Sequence, residues 1–101
     1  MKINLQQPIK QINGKTLIDE QNKEVLLKSI LLTLAILEKE DEVEKKLLDF
    51  DLAIKIQNSN STLELKNEEL VRIQQKAKGF LSTLVLGQVN AILEGHENPI
   101  K

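Results

Sequence analysis

The run Val25-Leu26-Leu27-Lys28-Ser29-Ile30-Leu31-Leu32-Thr33-Leu34-Ala35-Ile36-Leu37 is broken by polar side chains only at Lys28, Ser29 and Thr33. An amphipathic surface helix keeps a polar face, and this run keeps almost none. It predicts a helix buried on most sides, either at the centre of a small bundle or in a subunit interface. The run has about two-thirds of the length needed to cross a bilayer and contains a lysine, so it is not read as a membrane span.

Working outward, the 101 residues make one domain, and its core must be aliphatic because Phe50 and Phe80 are the only aromatic residues. A chain of this length buries roughly two-thirds of its unfolded surface on folding. The net charge of −1 argues against general affinity for nucleic acid or anionic membranes. Arg72 is the single arginine among 14 basic residues, so bidentate phosphate recognition is poorly supplied. Cysteine is absent, which excludes disulfides and thiolate metal sites. The opening apolar run is too short for a secretory signal, and a cytoplasmic location is expected.

The segment before the apolar run reads as extended. Ile9–Ile12 and Lys15–Ile18 flank Asn13-Gly14, the pair suited to a two-residue type I′ hairpin turn, which would set Ile12 opposite Lys15 and Ile9 opposite Ile18. No internal repeat is read. The first helix is expected from Asn22 to Lys39, with Asn22 or Asp19 as N-cap. A second helix starts near Asp41, where Glu40, Asp41, Glu42 and Glu44 favour a helix N-terminus, and ends by the polar cluster at 58–61. Its stripe Val43, Leu47, Phe50 and Ile54 is expected against the first helix, widened by Leu48, Leu52 and Ile56. Thr62–Leu65 alternates as a short strand would, returning to the N-terminal hairpin. A third helix opens at Lys66 or Asn67, turns Leu70, Ile73 and Ala77 inward, and ends at Gly79; a fourth runs from Phe80 to Glu94. The expected fold is mainly α: three to four helices with a short N-terminal β-hairpin (residues 2–18), one domain over 1–95, and a flexible tail over 96–101.

In the fourth helix Gly79, Thr83, Gly87, Ala91 and Gly95 fall at four-residue steps, a ridge along which another backbone can approach. Gly87 costs about 1 kcal/mol relative to alanine inside a helix, which suggests a packing reason. The ridge fits tight contact with the first helix or a subunit interface. A homo-oligomer is expected, because a nearly all-round apolar helix needs partners on several sides. The candidate interface residues are Leu27, Ile30, Leu31, Leu34, Thr83, Gly87 and Ala91.

Chemistry is sparse. The only histidine, His96, falls in the tail, and Asp49 and Asp51 point to different sides of one helix, so neither a metal nor another cofactor is expected. Ser29, Ser59, Ser61 and Ser82 have no nearby histidine base, and no catalytic residue is assigned. The stretch from Glu38 to Glu44 sets five carboxylates against one lysine; it reads as a solvated helix junction or as a decoy for a basic surface. Arg72, Gln75 and Lys76 share an arc of the third helix, and Gln88 and Asn90 interrupt Leu84–Leu93. These five are the candidate ligand-binding residues for a small nucleotide-like molecule, with a solvated face as the alternative.

Three stretches carry a resemblance: Lys2-Ile3-Asn4-Leu5 followed by Asn13-Gly14-Lys15, the apolar first helix, and Leu65-Lys66-Asn67-Glu68-Glu69-Leu70 leading to Leu84-Val85-Leu86-Gly87-Gln88 and Ile92-Leu93-Glu94. In this order the chain resembles a type of small protein encoded by tailed phages and prophages. The resemblance implies origin more than mechanism and carries no catalytic residues. It leads to the expectation of a non-enzymatic accessory protein in the host cytoplasm. Such a protein would act as a homo-oligomer that binds a host factor or sequesters a small signalling molecule, without membrane or direct nucleic-acid partners. The alternative is a virion assembly protein, such as a tail assembly chaperone or head–tail accessory protein.

Overall fold

A computed structural model describes residues 2–38 and 42–101. Along the chain come β1 (Lys2–Asn4), α1 (Leu27–Ile36), α2 (Val43–Asn58), β2 (Thr62–Glu64), α3 (Asn67–Phe80) and α4 (Thr83–Leu93). The domain is mainly helical with a short antiparallel strand pair. The expected end of the first helix at Lys39 and start of the second at Asp41 lie outside the described residues, as does the centre of the acidic stretch.

β1 pairs with β2, so the strand at Thr62 returns to the N-terminal segment as expected, meeting it at Lys2–Asn4 and not beside the turn at Asn13-Gly14. Ile3 lies opposite Leu63, and both are buried. Between β1 and α1 the chain makes two turns of one kind, eight residues apart. The Ile9 N–H donates to the Val25 carbonyl (2.8 Å), Leu17 N–H to Ile9 (2.8 Å) and Val25 N–H to Leu17 (2.9 Å), a closed triangle of backbone bonds. Single antiparallel bridges Lys10–Thr16, Ile18–Glu24 and Pro8–Leu26 repeat around it.

Each turn is a three-residue loop rather than the expected two-residue one. Gly14 N–H bonds the Gln11 carbonyl, and Asn22 N–H bonds the Asp19 carbonyl. Gly14 (φ 89°) and Asn22 (φ 61°) then take the same left-handed conformation. Glycine adopts it without a Cβ penalty, and asparagine is among the few other residues that tolerate it. The extra residue shifts the register: Gln11, not Ile12, bonds Lys15 across the turn, Lys10 pairs with Thr16, and Ile12 sits at the exposed tip.

This triangle also corrects the start of α1. Val25 uses both backbone groups in it, so the chain stays extended through Leu26 and the helix begins at Leu27, with neither Asn22 nor Asp19 as its cap. The first free helical N–H groups instead donate to backbone carbonyls, Leu27 to Gln7 (2.9 Å) and Lys28 to Leu5 (3.0 Å). The N-terminal segment thus closes the start of α1 from within the chain.

α1 buries Leu27, Leu31, Leu34 and Ala35 while Ser29 and Thr33 face outward. It packs on α2 and α3, and α4 packs on α3. Leu27, Leu31 and Leu34, expected in an interface, are fully enclosed within the chain; Ile30 is half-buried. The small-residue ridge does not bind α1. Gly79 ends in α3 rather than α4, Thr83 and Gly87 are exposed, Ala91 is half-buried, and a Cβ added at Gly79 or Gly87 would meet no atom within 4 Å. Residues 96–101, expected as a free tail, run back over the domain: His96 N–H bonds the Ala91 carbonyl, and Asn98 donates to Gln88.

Candidate functional site

Of the wide apolar stripe expected on α2, the fold buries only the widening residues and leaves the central ones outside. Leu52, Ala53 and Ile56 are buried together with Asp49, at helical spacings of three and four that define one face. The stripe assigned to the core points outward: Val43 is 68% exposed, Leu47 60%, Phe50 61% and Ile54 46%. The physical reason lies at Asp49, whose partners are on α3. Turning it inward carries Leu52 and Ile56 with it and leaves the other stripe on the far side.

Arg72 grips Asp49 with both arms of its guanidinium, Nε to Oδ1 at 3.0 Å and Nη2 to Oδ2 at 2.9 Å. Lys76 Nζ lies 2.6 Å from Oδ2 and donates to the Ala35 carbonyl at 2.9 Å. The three side chains are all buried. Two cations face one carboxylate, and the carbonyl near the C-terminus of α1 supplies the further acceptor, at the helix end where partial negative charge collects. Burial opposes ionisation of Asp49, but the hydrogen bonds and charges of Arg72 and Lys76 outweigh it and hold the carboxyl below its ordinary pKa. A second link joins the same helices. Glu69 accepts the Lys66 N–H at the start of α3 and pairs with Lys55 of α2 at 2.9 Å. Burial again opposes its charge, and the Lys66 N–H followed by Lys55 lowers its pKa in spite of it.

The five candidate ligand-binding residues do not converge on one pocket. Arg72 and Lys76 are spent on Asp49, and Gln75 is exposed beside them. Gln88 is buried and acts as a strand partner, accepting the Lys10 N–H (2.7 Å) and donating to the Lys10 carbonyl (2.8 Å). It fastens the N-terminal turns to α4. Asn90 donates to Glu94 one helical turn away. Gln75 and Lys76 line a cleft of about 280 Å³ with Leu37, Glu38, Gly79 and Phe80. A neighbouring cleft of about 180 Å³ runs from Ala35–Glu38 to Lys46, Asp49 and Phe50. The two share Leu37 and Glu38, and exposed Ile36 and Phe80 extend the apolar surface at their rims.

Both oxygens of Asp49 are engaged by Arg72 and Lys76, so the buried cluster holds α1, α2 and α3 together. What reaches solvent at this site is contact surface. Among the described residues no group of three or more His, Asp and Glu side chains could hold a metal ion, and no helix is long and apolar enough to cross a membrane. Compared with protein families, curated proteins and solved structures, the chain gives no match.

Proposed function

We propose that this chain is a non-enzymatic accessory protein that acts by stoichiometric binding, with the outward face of α2 as its working surface. The observation that carries the reading is the exposed stripe Val43, Leu47, Phe50 and Ile54 on a helix whose other face is already packed. A contiguous apolar patch on a small domain marks a place where another surface belongs. Sequestration of a small molecule gains less support, because Arg72, Lys76, Gln88 and Asn90 each satisfy a partner within the chain. The resemblance to small phage proteins makes a host protein the expected target. A virion assembly role would use the same face on a structural protein.

Native mass spectrometry of the wild type and of L47E/F50E, each expressed in turn in the cells that make the natural protein, tests the reading. The wild type is expected to retain a bound protein chain that the variant loses while its circular dichroism is unchanged. Identical bound masses in both proteins, or a small molecule retained by both, would overturn it.

A further inference from the structure

We propose that the first occupant of the α2 face is a second copy of this chain, paired in parallel along α2; the inference rests on the binding-surface reading above. The spacing of Val43, Leu47, Phe50 and Ile54 is four, three and four, which fills consecutive d, a, d and a positions of a heptad seam. All four side chains are exposed on the side away from the core, so two copies can meet there without disturbing either domain.

Charge decides the orientation. Glu44 and Asp51 flank the seam at the e positions, and Lys46 flanks it at g. In a parallel pair, g of one helix faces e of the other five residues on, which sets Lys46 against Asp51 of the second copy, twice by symmetry. An antiparallel pair instead sets the acidic flank against itself, and like charges in contact oppose association. Among the described residues Lys46 pairs with Glu38 at 3.7 Å, with both side chains largely exposed, and an exposed pair of this length is easily exchanged for a new partner. From Val43 to Ile54 the seam is about 17 Å long at 1.5 Å per residue. An isolated coiled coil needs more heptads than this. Here each helix is already held by its own core, so the pairing need not supply helix formation. A contact of this size belongs with weak, reversible interfaces, and a dissociation constant on the order of micromolar is expected.

The chain lacks cysteine, which makes single-cysteine variants clean reporters. V43C and I54C are oxidised separately and as a mixture at high micromolar concentration, alongside sedimentation of the wild type, K46E and K46E/D51K. In a parallel pair each residue meets its own copy, so V43C and I54C each form a covalent dimer alone. K46E is expected to weaken the dimer roughly five- to tenfold, and K46E/D51K to restore it. Crosslinking confined to the V43C and I54C mixture would overturn the parallel arrangement, and a monomer without crosslinks would overturn self-pairing altogether. If the wild type is monomeric but still retains a foreign protein that L47E/F50E loses, self-pairing fails and the binding surface stands. If neither self-pairing nor any such loss is seen, both fail.

Discussion

The two long faces of α2 reverse the usual arrangement of a surface helix. Its inward face carries a charged residue, Asp49, among Leu52, Ala53 and Ile56; its outward face carries Val43, Leu47, Phe50 and Ile54. Burying an isolated carboxylate is costly, and the cost is met here by a bidentate arginine and a lysine aimed at one point. Leaving four large apolar side chains in water forgoes stabilisation that burial would supply, roughly 1.5–3 kcal/mol for each one fully covered. The difference teaches that the inward face explains how the domain holds together, whereas among the described residues nothing covers the outward face.

Removing Asp49 strikes the inward face hardest. D49A leaves Arg72 and Lys76 buried without their counter-ion, and a loss of about 3–5 kcal/mol of unfolding free energy is expected in urea titration. A smaller loss in D49A than in L52A would mean that the ion cluster is wetter than its burial implies. L52A itself, a truncation in a packed site, should cost about 2–5 kcal/mol, whereas the matching truncation L47A on the outward face should stay within about 0.5 kcal/mol at protein concentrations where the chain is monomeric. Equal effects would erase the distinction between the faces.

Acid probes the same inward cluster more gently. Asp49 has a lowered pKa in the folded state, so its contribution to stability is fully present above the unfolded value of about 3.9 and disappears as the pH falls through the folded value. Glu69 acts with the same sign. The urea midpoint of the wild type should therefore fall below about pH 4, and D49N should show a flatter acid limb. Parallel acid limbs in the two proteins would remove Asp49 from that role.

Much of the helical framework was legible. The end of α2 at the polar cluster 58–61, the start of α3 at Asn67 just before Glu68 and Glu69, and the inward Ile73 and Ala77 all follow from local chemistry. The site was less legible, because Val43/Leu47/Phe50/Ile54 and Leu48/Leu52/Ile56 have the same periodicity and hydropathy cannot choose between them. The deciding signal was Asp49 together with Arg72 and Lys76, but in the sequence the two cations read with Gln75 as a ligand-binding or solvated arc, and Asp49 is weighed only beside Asp51 for a metal. Val25 and Leu26 were taken as helical because a short aliphatic run does not distinguish strand from helix. The eight-residue repeat was present in the letters, Ile9/Leu17/Val25 and Lys15/Lys23, but Gly14 and Asn22 disguise it by being different residues with the same backbone need. At Gly87 the four-residue spacing was real, yet no neighbour approaches it.

The central claim is that the outward face of α2 stabilises an assembly and not the folded chain itself. Its most direct test is the urea midpoint of the wild type and of L47E/F50E, measured from low to high micromolar concentration. The expected result is a wild-type midpoint that rises with concentration and a variant midpoint that does not, the two converging on dilution. A variant that is unfolded at every concentration, or a wild-type midpoint independent of concentration, would contradict it.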